Sequence, residues 1–108
     1  QAGGLVFRYA EANRYILCRA NALEGNFRLY TVIDGKRKQL KSQDVKVLSK
    51  EWHTLKVECR GKEVKCSFDG GTPLVAEIDG FSPGKVGFWT KADSVTLFDD
   101  LEVQPVAK

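Results

Sequence analysis

Apolar and polar residues alternate with period two over most of the chain, and short runs rich in Gly, Asn and Asp interrupt the alternation. Such a pattern predicts half-buried strands joined by tight turns. The clearest stretch is 53–69. Leu55, Val57 and Cys59 alternate with Thr54, Lys56, Glu58 and Arg60, and after Gly61-Lys62 the alternation resumes with Val64, Cys66 and Phe68 against Lys65 and Ser67. A two-residue turn led by Gly matches the twist of its flanking strands. It sets Arg60 opposite Glu63, Glu58 opposite Lys65, Cys59 opposite Val64 and Val57 opposite Cys66. Apolar pairs then share one face and opposite charges the other, and a one-residue slip would invert both.

Residues 4–41 predict a meander of four strands by the same reasoning. Ala10-Glu11-Ala12-Asn13 reads as a polar loop between Leu5–Tyr9 and Arg14–Ala20. A four-residue loop pairs Leu5 with Cys18 and Phe7 with Ile16 on one face, and Val6 with Leu17 and Arg8 with Tyr15 on the other. The Asn21–Asn26 turn then pairs Cys18 with Leu29 and Ala20 with Phe27 on the first face, and Leu17 with Tyr30 and Arg19 with Arg28 on the second. Asp34-Gly35 is a two-residue hairpin signal that returns Lys36–Lys41 beside Thr31. Residues 74–78, 84–91 and 94–104 supply further strands, punctuated by Gly80, Pro83 and Gly84. No amphipathic helical period is evident. The expected class is all-β, a two-layer antiparallel sandwich. Its first sheet, concave, would carry the amphipathic second face of 4–33, and its convex partner would hold 53–69.

A length of 108 residues suits one domain spanning 1–108. No stretch approaches the roughly 20 apolar residues needed to span a bilayer. The chain lacks Met, and its first strand starts almost at once, which suggests a mature protein or a piece of a longer one with upstream strands missing. A net charge of +3, scattered among acids, fits a solvated surface and gives no reason to expect a nucleic-acid partner. Nothing in the pattern speaks to oligomeric state. Cys18, Cys59 and Cys66 each fall on an apolar phase, as buried free thiols would; a Cys59–Cys66 bridge is the alternative in an oxidising compartment. No Cys/His cluster offers a metal site.

The segment Glu51-Trp52-His53-Thr54-Leu55-Lys56-Val57, followed by a hairpin into Phe68-Asp69-Gly70, resembles a signature of laminin-G-like and concanavalin-A-like domains. Gly84–Lys91 running on to Phe98-Asp99-Asp100-Leu101 is similar to the closing strands of that superfamily. Gly3–Tyr9 and Arg19–Glu24 resemble a bacterial branch grouped near the 3-keto-disaccharide hydrolases. The resemblance implies a jelly-roll sandwich, an exported (periplasmic or extracellular) location and glycan-related work.

The candidate site is the face bearing Arg8, Tyr15, Arg19, Arg28 and Tyr30. Aromatic rings cover sugar C–H faces and Arg forks donate to hydroxyls or carboxylates. Arg19 directly opposite Arg28 is unfavourable unless an acid or a ligand sits between them, and Glu24, Asp93 and Asp99 are the acids at hand. The alternative is a structural salt-bridge cluster. Trp89 is expected to point away from the core as a sugar platform or a capped ring, whereas Trp52 reads as a plug at the core edge. His53, the one histidine, opens a strand whose outer face is solvated. Asp99-Asp100 could bind Ca²⁺, answer the arginines or form a bulge; no cofactor is otherwise expected. The expected function is a non-catalytic carbohydrate-binding module with Arg8, Tyr15, Arg19, Arg28, Tyr30, Trp89 and Asp99 as ligand contacts. A glycoside hydrolase domain acting on (3-keto-)disaccharides and a structural accessory domain are the alternatives.

Overall fold

The computed structural model describes residues 2–47, 51–81 and 84–90. Within them the chain runs β1 (Ala2–Glu11), β2 (Arg14–Asn21), β3 (Asn26–Ile33), β4 (Lys36–Asp44), β5 (Leu55–Arg60), β6 (Glu63–Phe68), β7 (Leu74–Glu77) and β8 (Lys85–Thr90). A five-stranded antiparallel sheet has the order β4-β3-β2-β1-β8, and a three-stranded sheet has the order β5-β6-β7. The described residues form an all-β, two-layer sandwich. The expected strand over 94–104, and with it Asp93, Asp99 and Asp100, lies outside the described residues.

The period-two alternation explains the two layers. Phe7, Ile16, Cys18, Ala20, Phe27 and Leu29 point inward from the larger sheet and meet Val64, Cys66, Phe68 and Leu74 of the smaller one, with Ile78 just beyond β7. Ile16, Cys18, Phe27, Leu29, Val64 and Cys66 have no exposed surface. Burying one such aliphatic or aromatic side chain contributes about 1.5–3 kcal/mol, so this seam is the main source of stability. Phe27 and Phe68 meet across it at 5.8 Å between ring centroids. Gln43 Nε2 donates to the Thr72 carbonyl at 2.9 Å and ties β4 to the segment before β7. Arg14 donates to the Gly80 carbonyl and lies 4.8 Å over the Phe81 ring, which anchors the passage from β7 to β8.

The β5–β6 register matches the expected one at every pair, from Arg60 opposite Glu63 to Val57 opposite Cys66. The β2–β3 register matches as well, including Arg19 opposite Arg28 and Leu17 opposite Tyr30. Cys18 and Cys66 are buried thiols, and Cys59 is half-buried against the same core.

The β1–β2 connection differs from the expectation. Leu5–Cys18, Val6–Leu17 and Phe7–Ile16 pair as expected, but the turn is two residues, Ala12-Asn13, with Glu11 opposite Arg14. The surplus residues form a bulge between Phe7 and Glu11. Arg8 sits there with a φ of +49° and does not pair with Tyr15. Its guanidinium reaches the Cys59 thiol of the other sheet. Arg8 therefore leaves the expected face because the bulge rotates it toward the interior. Gly84 makes the bulge possible, since a Cβ there would lie 2.7 Å from the Tyr9 carbonyl oxygen. A second bulge shifts the β3–β4 register between Leu29 and Tyr30.

Trp52 also departs from expectation, being 68% exposed. It precedes β5, where the chain has not yet entered the sandwich, so it plugs no core edge.

Candidate functional site

The outer face of the five-stranded sheet, opposite the core, is built row by row from the register. One row crosses the sheet as Trp89, Gly4, Arg19, Arg28 and Ser42. The next runs Gly87, Val6, Leu17, Tyr30 and Gln39. Beyond the bulge, Lys85 and Tyr9 pair on one side, and Tyr15, Val32 and Arg37 follow on the other. Tyr9 takes the place expected for Arg8 and stacks on Tyr15, with centroids 5.7 Å apart and planes inclined by 29°. Val6, Leu17 and Tyr30 are buried in a second apolar cluster on this face, flanked by Tyr9, Tyr15 and Trp89.

Arginines cover that cluster. Arg19 is only 6% exposed. Its Nη2 donates to the Tyr30 hydroxyl at 2.8 Å, and its guanidinium lies 5.2 Å from the Tyr30 ring centroid. Arg37 approaches the same ring at 4.9 Å. Arg28 donates from Nε to Ser42 Oγ at 3.1 Å. Gly4 keeps the floor low beside Arg19, because a Cβ there would strike the Cys18 carbonyl at 2.1 Å.

Among the described residues, Glu24 is the carboxylate that reaches both opposed arginines. Glu24 Oε1 stands 3.5 Å from Arg19 Nη2 and 3.9 Å from Arg28 Nη1. Asn21 positions it. The Asn21 Oδ1 accepts from the Leu23 and Glu24 amides at 3.0 and 3.1 Å, and Asn21 Nδ2 donates to Glu24 Oε1 at 3.1 Å. Such side-chain turns are a common use of Asn between strands. Desolvation pushes the Glu24 carboxyl up, but Asn26, Arg19 and Arg28 outweigh it and hold the group below its usual range. Arg19 Nε and Nη1 are nevertheless buried with no partner.

At the β1–β8 edge a depression of about 280 Å³ is lined by Val6, Tyr9, Lys85 and Gly87 of this face together with Val86 and Phe88, which alternate to the other. This is close to the lower bound of small-molecule pockets, roughly 300 Å³. Among the described residues no cluster of His, Cys, Asp or Glu is arranged to hold a metal ion.

His53 belongs to a separate arrangement. Its Nδ1 lies 2.7 Å from Asp69 Oδ2, and Asp69 Oδ1 accepts the Thr54 amide at 2.7 Å. The Asp69 amide donates back to the Thr54 carbonyl at 2.8 Å. Burial pushes the Asp69 carboxyl up, and the Thr54 amide and His53 together outweigh it and bring it below its usual value. This locks the open end of the β5–β6 hairpin.

Tyr15, Arg19, Arg28, Tyr30 and Trp89 thus share one face, Arg8 does not, and Asp99 lies outside the described residues. Tyr9 and Arg37 belong to the face and escaped the sequence reading. Arg37 had a signal: the two-residue turn Asp34-Gly35 sets Val32 opposite it. Tyr9 had a weaker one, the opposite-charge pair Glu11–Arg14 around Ala12-Asn13.

No family model matches the chain, and no curated protein matches it. Among solved structures it is similar to the carbohydrate binding module CBM66 from Bacillus subtilis, with a TM-score of 0.75 and 23% identity. The likeness covers 81% of this chain and 55% of that one, so the chain spans about half the length of its neighbour. At that identity the comparison shows a shared β-sandwich fold. The finer resemblance to laminin-G-like domains and keto-disaccharide hydrolases finds no counterpart in it.

Proposed function

We propose that this chain is a carbohydrate-binding domain that holds its sugar on the outer face of the five-stranded sheet and does not transform it. The observation that carries the reading is the half-exposed Tyr9, Tyr15 and Trp89 standing with Arg28 and Arg37 on that face, over a floor made by the buried Arg19 and Tyr30. Rings stack on the C–H faces of a sugar while guanidiniums donate to its oxygens. The depression beside Tyr9 gives one ring a place to sit. The fold shared with a carbohydrate binding module supports the reading by analogy, since function resides in the site and not in the sandwich.

Hydrolysis fits the face less well. A glycosidase acid needs a raised pKa, and Glu24 is held in the opposite direction. The test is a glycan array followed by calorimetry on the hits. Trp89→Ala and Arg28→Ala should each weaken binding by roughly tenfold while each still unfolds in a cooperative thermal transition. Parent-like binding by both variants, or product release from the bound glycan, would overturn the proposal.

A further inference from the structure

Among the described residues, the Arg19–Arg28 pair is supplied with less anion than it asks for. Two guanidiniums stand directly opposite each other on neighbouring strands, where like charges repel. The one carboxylate between them sits at 3.5 and 3.9 Å, well beyond the roughly 2.7–2.9 Å of a charge-assisted hydrogen bond. Among the described residues two Arg19 nitrogens find no partner, although its side chain is only 7% exposed. Buried guanidinium nitrogens left unsatisfied are costly, and an unfilled anion site is one explanation for them. Arg37 and Lys85 add positive charge on the same face, and Asp44 is a further carboxylate near Arg28.

The two partners in this contact are not equally fixed. Arg19 is clamped by the Tyr30 hydroxyl and ring. Glu24 rides on a short turn, with its side chain 51% exposed. If one side of the pair moves, it is Glu24, and its departure uncovers Arg19 beside the half-buried Arg28.

Resting on the carbohydrate-binding reading, we infer that the Arg19–Arg28 pair is the seat for the carboxylate of an acidic sugar, and that Glu24 is a tethered carboxylate which that sugar displaces. The exchange conserves charge at the arginines and releases Glu24 to water. A carboxylate is the fitting ligand group because a carboxylate already occupies the position, at distances a better-placed one would shorten.

The test compares oligogalacturonate, oligoglucuronate and oligomannuronate with their methyl esters, which keep the sugar and remove the charge. Binding to the purified chain is measured by calorimetry at low and moderate salt. At least one acid should bind ten times or more tightly than its ester, with affinity falling as salt rises. Glu24→Gln should raise affinity for the acid several-fold and leave the ester unchanged. Arg28→Gln, checked for folding by its thermal transition, should erase the preference. Equal binding of acid and ester overturns the inference and leaves carbohydrate binding standing, as does binding of neutral glycans with no acid bound. A Glu24→Gln variant with an unchanged acid-to-ester ratio overturns the displacement. If no acid, ester or neutral glycan binds, both the inference and the reading beneath it fall.

Discussion

Asp69 closes the β5–β6 hairpin with a single carboxylate, one oxygen taking the Thr54 amide and the other facing the His53 ring. Its folded pKa lies below the ordinary value of 3.8, so folding favours the ionised form. The contribution is therefore complete above that ordinary value and is lost as pH falls through the lower folded one. Asp69→Asn keeps a residue that tolerates the φ of +51° and removes the charge. It should cost on the order of 1 kcal/mol at neutral pH, and its melting temperature should fall less steeply than the parent's in acid. The two opposed arginines should also separate in denaturant melts. Arg19→Ala removes a buried group and leaves the Tyr30 hydroxyl without its donor, for a loss of roughly 1–3 kcal/mol. Arg28→Ala removes a more exposed one, and a clearly smaller loss is expected. Equal losses would mean that Arg19 is not the fixed member of the pair.

At the level of strands, turn chemistry and alternation specify register together. That is why β2–β3 and β5–β6 were readable residue by residue, and why five of the expected face residues do share a face. The β1 bulge escaped for a physical reason. It places three residues of β1, Arg8 to Ala10, against Tyr15 alone in β2, a surplus of two. Adding two residues restores the parity of a period-two pattern, so the alternation on either side looks unbroken while Arg8 and Tyr9 exchange faces. The partner that stabilises this exchange, Gly84, lies far away in the chain and reads only as a turn residue. Gly84→Ala should drive a methyl into the Tyr9 carbonyl and cost roughly 1–3 kcal/mol. Hydrogen exchange should then quicken in β8 before β2 or β3, because among the described strands β8 bonds to its sheet through β1. Uniform quickening would show that the bulge is not a local device.

For the molecule as a whole, three thiols report on how the layers open. Cys18 and Cys66 face each other's sheets in the core, and Cys59 sits nearer its margin. Hydrogen bonding to Cys18, together with burial, pushes the Cys66 thiol far up, and burial raises Cys59 while Arg8 partly offsets it. A thiol reagent at neutral pH should modify Cys59 first, and Cys18 and Cys66 only at the rate of global unfolding. Simultaneous modification of all three would mean that the sheets separate without unfolding. The margin of the larger sheet carries a different message. Among the described residues β4 ends that sheet, and it presents Lys36, Arg37, Lys38 and Lys41 along a strand already broken by a bulge. A second copy docking its own β4 alongside would set lysine against lysine on a kinked ladder. Along this edge, charge and shape therefore both oppose strand-to-strand growth between copies.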